Sequence, residues 1–369
     1  MSHRSGAMRR TAAFIEKETK EILRDPITLG IALIMPLLLL FLFGYAINFD
    51  IENVPFGVLD FDRSAESRAL IDRFQQSGFF SLIRVFASQT DLANALMVND
   101  IRLAVVIPPD FAKTLRALEP APVQVIVDGT FAASAGLVMK YAQMIVGTYG
   151  AAGEHLLGLE ARIWYNPDLR SAHYVIPGLF GVILMAIPPL LTALAVTREK
   201  ESGSIQQIFA SPLRSSEFIT GKLVPYAVIA AIQMLMILSV GFLWFEVPVE
   251  GSLALLVVAS LVYVLCTVSL GLLVSTVTQS QLIAMLVALI VTLMPSFLFS
   301  GFIFPLFTMP EMMQYYARAF PAAYFVDVSR GIVMKGAGVS DAALPLAFLV
   351  AYSVVVFTIA VMRLRKKVA

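Results

Sequence analysis

The tract from Gly251 to Pro310 contains no Asp, Glu, Lys, Arg or His. A helix crosses the hydrocarbon core of a bilayer with about 20 apolar residues, so this one tract is long enough to cross twice. Four more uncharged windows accompany it: Ile27 to Ile47, Val175 to Thr197, Leu223 to Phe245 and Ala342 to Met362. With 58% hydrophobic and 14% charged residues and a mean hydropathy of +0.81, the chain departs far from a soluble globular mixture. Splitting the long tract at the polar patch Ser275 to Gln281 predicts six transmembrane helices. The expected fold class is an α-helical polytopic membrane protein with a small α/β extracytoplasmic domain inserted between helices 1 and 2. The organisation reads as a cytoplasmic amphipathic segment 1–26, helix 1 at 27–47, the inserted domain at 48–174, helices 2–6 within 175–362 and a cytoplasmic tail 363–369.

Orientation follows from the basic residues in short connections, which stay on the cytoplasmic side. Arg4, Arg9, Arg10, Lys17, Lys20 and Arg24 precede the first span, Arg198, Lys200, Arg214 and Lys222 follow the second, and Arg363, Arg365, Lys366 and Lys367 follow the last. The connection Glu246 to Glu250 has two acids and no base, so it faces outward, as six crossings with both termini inside require. The first apolar stretch is too long and too deeply preceded by mixed charges for a cleavable signal, and reads as an anchor. The lone Cys266 falls within the fourth span, so the inserted domain holds no internal disulfide. His3, His155 and His173 are too scattered for a metal site, and nothing points to nucleic acid.

Within the insertion, Val54 to Asp60, Arg102 to Ile107 and Val123 to Asp128 read as strands, with Phe80 to Phe86 a weaker one. Ser64 to Gln76, Asp91 to Val98 and Asp110 to Leu118 carry helical spacing. Phe131 to Leu159 is expected to be a long helix leading back toward the membrane. Asp60 and Asp62 imitate the paired aspartates of a phosphoryl-transfer enzyme. No partner cluster accompanies them, so the reading is a strand ending in a turn with Ser64 capping the next helix.

The polar interruption Thr197 to Tyr226 (TREKESGSIQQIFASPLRSSEFITGKLVPY) carries the chemistry. Ser204-Ile-Gln-Gln207 has the form of a capping box, Gly203 permits a tight turn, and Ile205, Ile208 and Phe209 share one face. Pro212 ends the helix. So short a helix is marginal alone and is expected to dock onto something, whether a soluble partner, the membrane surface or its own bundle.

These residues resemble the signature of the ABC type-2 permeases, the membrane subunits of ATP-binding cassette exporters. Lys17-Glu18 with Arg24-Asp25-Pro26 is similar to the family's amphipathic segment before the first span. Ser300-Gly301-Phe302, Met309-Pro310 and Pro321 to Gly336 resemble its outer segments. The large insertion is similar to that of bacterial multidrug and lipid export permeases. The resemblance implies a coupling helix at 202–210, with Glu199, Glu201, Gly203, Ser204, Ile205, Gln207, Ile208, Phe209 and Pro212 meeting an ATPase. It also implies a separate ABC ATPase subunit in two copies that holds ATP and Mg, and a second permease copy or close paralogue. A periplasmic adaptor and membrane lipids are further expected partners, and the bacterial inner membrane is the expected location. No cofactor, metal or catalytic residue is expected on this chain, which lacks a phosphate-binding G-x-x-x-x-G-K-[ST] run. It is not expected to be an enzyme.

The implied function is permease subunit of an exporter for a hydrophobic or amphipathic cargo, drug or lipid-like. A receptor or scaffold that senses a ligand with the inserted domain is the alternative. A secondary transporter would place ionisable residues inside the membrane, and the six spans as drawn contain none; Lys222 reads as an anchor at the inner face. The outer segment 305–341 is expected to be re-entrant, with Ser300, Gly301, Pro305 and Arg330 as candidates for an outer gate or an interfacial lid. Asp327 and Arg330 stand at i, i+3, where pairing would contribute about 0.2–0.5 kcal/mol.

Overall fold

The computed structural model describes residues 2–47, 53–97, 100–117, 119, 121–127, 132–150, 170–204, 215–306 and 309–366. The chain divides into two compact units, 1–48 with 168–369, and 49–167. Helices α1 (Ser2–Leu23) and α2 (Pro26–Ala46) precede the inserted unit. That unit runs β1 (Val54–Asp60), α3 (Ala65–Gln76), β2 (Phe80–Phe86), α4 (Gln89–Met97), β3 (Leu103–Ile107), α5 (Phe111–Arg116), β4 (Gln124–Val127) and α6 (Ala132–Gly150). The helical unit resumes with α7 (Ser171–Glu201), α8 (Ser215–Leu243), α9 (Leu253–Val277), α10 (Gln281–Ala288), a π-helical turn at Leu289–Leu293, and α11 (Met294–Phe299). It closes with α12 (Glu311–Arg318), α13 (Pro321–Lys335) and α14 (Val339–Lys366).

Six segments of the helical unit are long and apolar enough to cross a membrane: α2, α7, α8, α9, the run Gln281–Phe299, and α14. The polar patch does divide the uncharged tract. α9 ends at Val277, and the Ser280 hydroxyl caps α10 by accepting from the Ile283 N–H at 3.4 Å.

The core of this unit is α7, which is buried at every residue from Val175 to Pro189. Neighbouring helices bond directly to its main chain, and elsewhere in the unit a neighbour meets a carbonyl that a proline frees. Proline removes a main-chain donor and frees the carbonyl four residues earlier, a cost that membrane helices meet with polar side chains from neighbours. Pro36 in α2 frees the Ala32 carbonyl in this way, and Gln233 of α8 donates to it at 2.6 Å. Along α7, Tyr263 donates to the Gly181 carbonyl at 2.9 Å and Ser329 to that of Pro177 at 3.0 Å. The π-helical turn stands just before Pro295, where Met294 N–H reaches back to the Leu289 carbonyl.

Gly271 sets how closely α9 approaches α7. A Cβ at that position would stand 2.7 Å from the Pro189 Cα. Backbone cannot rotate away as a side chain can, so a methyl group here forces the helices apart. Gly271→Ala is expected to destabilise the purified protein by about 1–3 kcal/mol, read as a lower thermal midpoint in detergent. An unchanged midpoint would show that α7 and α9 have slack at this crossing.

The inserted unit is a four-stranded sheet in the order β2-β1-β3-β4. β1 pairs in parallel with both β2 and β3, and β4 closes the sheet antiparallel to β3. The two parallel crossovers are made by α3 and α4, as βαβ units require. β3 is apolar throughout and buried at all but one position, the pattern of a strand covered on both faces. Phe56, Phe74 and Phe80 form one aromatic cluster with centroids 5.3 to 6.1 Å apart. The weakest strand expectation, Phe80 to Phe86, coincides with β2.

The aspartate pair belongs to a turn. Asp60 Oδ1 accepts from the N–H groups of Asp62 and Arg63 at 3.0 and 2.9 Å, and Oδ2 accepts from the Ser67 hydroxyl at 2.6 Å. Asp62 Oδ2 accepts from the Ala112 N–H at 3.1 Å, and Ser64 caps α3 through the Ser67 N–H at 3.0 Å. These carboxylates are already engaged in closing the loop. The long helix expected from Phe131 is seen as α6 up to Gly150, and residues 151–159 of that expectation lie outside the described residues.

Candidate functional site at the charged end of the bundle

α1 has a narrow buried stripe, Phe14, Glu18 and Ile22, spaced one turn apart. Its apolar members anchor it. Phe14 meets Phe218 of α8 at 5.4 Å and packs in a cluster with Val196, Ile219, Leu272 and Ala360. Ile22 joins a second cluster with Ala186, Leu191 and Ile229. The acid between them is thereby carried into the interior.

Lys222 meets Glu18 there, at 2.8 Å from its Oε2, and Glu199 at 2.9 Å from its Oε1. Lys222 is 3% exposed and Glu18 2%, so the expectation of an interfacial anchor is corrected. The spanning helix α8 begins at Ser215, eight residues before the apolar window, and carries Glu217 and Lys222 into the packed region. The spans as drawn do hold no ionisable residue, but the helix that carries the third of them extends beyond its window to include Glu217 and Lys222. Apolar windows locate the hydrocarbon-length part of a helix, while a charge whose partner arrives from a distant segment can be buried beyond it.

Other pairs extend the cluster. Lys17 lies 3.4 Å from Glu18, 3.1 Å from Glu21 and 3.5 Å from Glu199. Burial opposes the charge on Lys17, but the three acids outweigh it and hold its pKa above the ordinary lysine value. Carboxylate oxygens of Glu18, Glu21 and Glu199 converge as a metal site would require, yet the Lys17 ammonium already stands among them. Arg10 grips Glu217 in a two-point contact of 2.7 and 3.1 Å. Asp25 caps α2 through the Thr28 N–H and hydroxyl and pairs with Arg198 at 3.0 Å. The Thr28 N–H, then the Thr28 hydroxyl and Arg198, hold the Asp25 carboxyl below its usual value.

The end of α7 is fastened on its other side as well. Lys200 donates to the carbonyls of Ser275 and Thr278, which close α9, the C-terminal role to which a lysine is suited. Glu201 accepts from the Gln281 N–H at 3.0 Å and from its side-chain amide at 2.9 Å. Ser202 completes α7 as its C-cap, and Gly203 follows at φ +73, a left-handed turn that side-chain-bearing residues adopt at a cost. Ser204, whose hydroxyl lies 2.9 Å from that of Ser202, follows as the last described residue of this segment. Ile205, Gln207, Ile208, Phe209 and Pro212 lie outside the described residues. Of the expected coupling positions, the structure therefore brings Glu199 into the cluster, ties Glu201 to Gln281 at the start of α10, and places Gly203 and Ser204 directly after them.

At the far end, Arg330 of α13 donates to three main-chain carbonyls: Tyr174 at 3.1 Å, Gly301 at 2.7 Å and Phe302 at 2.9 Å. It also lies over the Tyr174 ring at 3.7 Å. The anticipated pairing with Asp327 gives way to these bonds, because the 300–302 turn and the start of α7 present carbonyls directly to the guanidinium. Ser300 is buried, with its hydroxyl donating to the Ser296 carbonyl and accepting from Phe302 N–H. Pro305 follows, half-buried. Sequence reasoning named Glu18 only as part of the amphipathic segment, missing its burial against Lys222, and missed Tyr174 altogether. An acid in phase with Phe14 and Ile22 was the available signal for the first; nothing local marked the second.

The helices and the charged constellation at one end define a multi-pass membrane protein in which an amphipathic N-terminal helix is tied to the root of a polar loop. Residues 26–362 match the model of the family described as ABC-2 family transporter protein, and the chain belongs to that family as a permease. It is similar to the probable multidrug ABC transporter permease YbhS of Escherichia coli K12, with 34% identity over 91% of each chain. It is also similar to the probable multidrug ABC transporter permease YbhR of that organism, at 31% identity over 88% of this chain and 89% of the other. A third relative is its inner membrane transport permease YhhJ, at 28% over 85% and 86%.

Proposed function

We propose that this chain is the transmembrane half of an ATP-driven exporter that moves hydrophobic or amphipathic molecules, of drug or lipid-like character, out of the cytoplasm or inner leaflet of a bacterial inner membrane. The observation that carries the reading is the attachment of Glu199 and Glu201, which flank the root of the 202–210 segment, to α1, α8 and α10. A push on that segment would reach α7 and, through it, the spanning helix α8, the start of α10 and the amphipathic helix α1 at once. In this reading the charged end faces the cytoplasm with both termini, and the inserted unit lies outside. An ABC ATPase subunit, present twice and loaded with ATP and Mg, grips residues 202–210 of each of two permease chains. A ligand shifts a conformational equilibrium only by its differential affinity for the two states, so nucleotide acts by changing how the partner holds this segment. Arg330, with Ser300, Gly301 and Pro305, forms the outer closure. A periplasmic adaptor would meet the inserted unit.

The test is purification of the tagged chain from native membranes in mild detergent, with mass spectrometry of the accompanying proteins and an ATPase assay. A stoichiometric ABC ATPase lost on disrupting 204–209 is the expected result, and a well-behaved complex without any ATPase would overturn the proposal. Deleting Asn53 to Leu159 is expected to change cargo handling while leaving the ATPase bound, because that unit is assigned to the opposite side. Loss of the ATPase from a correctly inserted deletion would contradict the topology.

A further inference from the structure

A cavity of about 990 Å³ opens at the charged end, between α1 and the adjoining ends of α2, α7 and α8. Such a volume suits a drug-sized or lipid-sized group. Its walls are of two kinds. Phe14, Ile22, Pro26, Leu191, Leu194 and Ala195 supply apolar surface, and the rest of the lining is polar, most of it charged or hydroxylic.

The polar lining is unevenly satisfied, and the unevenness has two signs. The Arg24 guanidinium and the Tyr226 hydroxyl both line the cavity, and neither has a hydrogen-bond partner among the described residues. Neither is a buried unpaired group, so both are donors that a ligand acceptor can reach. On the acidic side, three carboxylates (Glu18, Glu21 and Glu199) face two ammonium groups (Lys17 and Lys222). One negative charge is therefore in excess, and Glu199 Oε2 is buried without a hydrogen-bond partner. A buried polar atom left unpaired costs about 1–3 kcal/mol, so a cationic donor brought to this side is favoured.

We propose that this cavity binds the headgroup of a membrane phospholipid carrying both a phosphate and a free ammonium, of the phosphatidylethanolamine type. The phosphate lies against Arg24 and Tyr226, the ammonium turns toward the surplus carboxylate of the Glu18, Glu21 and Glu199 group, and an acyl chain runs along Phe14 and Leu191. An anionic lipid without the ammonium leaves the acidic side unsatisfied. A choline headgroup carries the charge but no N–H to donate. A soluble zwitterion has no chain to bury against the apolar walls. The inference rests on the proposed cytoplasmic placement of this end, which makes the lipid one of the inner leaflet.

The experiment is native mass spectrometry of the full chain from nanodiscs holding equal parts of phosphatidylethanolamine, phosphatidylglycerol and phosphatidylcholine. Preferential retention of phosphatidylethanolamine is expected, weakened on the order of tenfold in Arg24→Gln and in Tyr226→Phe, as loss of one charge-assisted or hydroxyl hydrogen bond implies. Arg24 is exposed, so its variant tests the site without disturbing the core. Equal retention of the three lipids, or retention unchanged by both substitutions, would overturn the proposal. So would displacement of the lipid by free phosphoethanolamine, which would assign the cavity to a soluble ligand. The measurement needs no ATPase, so its failure leaves the exporter reading standing, and failure to recover an ATPase leaves the lipid result standing.

Discussion

Replacing Lys222 with methionine is expected to cost about 3–5 kcal/mol of stability, because Glu18 and Glu199 would be left buried without their shared cation. The loss should appear as a large fall in the thermal midpoint of the detergent-solubilised chain and in reduced yield from membranes. The comparison that isolates the ion pair is the double variant Glu18→Met with Lys222→Met, in which both members of the closest contact, 2.8 Å apart, become apolar. Its cost should be below that of Lys222→Met alone, because Glu18 is no longer left as an unpaired buried charge, while the part that remains reports Glu199, which still loses its 2.9 Å partner. Equal losses in the single and double variants would mean that Glu18 and Lys222 are not energetically coupled. A stable Lys222→Met would mean that water reaches the cluster.

The second large effect is functional. Gln207→Pro should reduce partner-stimulated ATP turnover to the level of the ATPase alone and abolish export, while the chain still inserts. A proline inside a helix costs about 3 kcal/mol, more than a helix of two turns can absorb. The membrane-spanning helices are untouched by the change, so insertion serves as the internal control. Normal turnover in this variant would show that the segment after Ser204 does not couple the two subunits, whatever the family.

The two experiments probe different sides of one joint. Glu199 and Glu201 stand two residues apart at the end of α7. The first is drawn inward to Lys222, and the second caps the start of α10 through Gln281. Lys222→Met tests whether this joint holds the bundle together, and Gln207→Pro tests whether force enters through it. A chain that loses stability in the first and turnover in the second behaves as a lever with a fixed fulcrum.

The sequence by itself determined the membrane character, the number of crossings and the family. Each of these depends on properties that are additive along the chain: apolar length, the absence of charge from Gly251 to Pro310, and a contiguous signature around Thr197 to Tyr226. The strands of the inserted unit were legible for a similar reason, since runs such as Val54–Asp60 announce themselves locally, and so was the capping role of Ser64. What only the tertiary structure decided is which charges are partners. Glu18 and Lys222 are separated by 204 positions, and although Glu18 stands in phase with Phe14 and Ile22, nothing local to either residue names the other as its partner. Their burial is favourable only jointly, because the desolvation of each charge is offset by the presence of the other. Arg330 shows the same limit at the far end. A helical spacing of three residues pointed to Asp327, but the carbonyls of Tyr174, Gly301 and Phe302 arrive from segments that spacing along one helix cannot see.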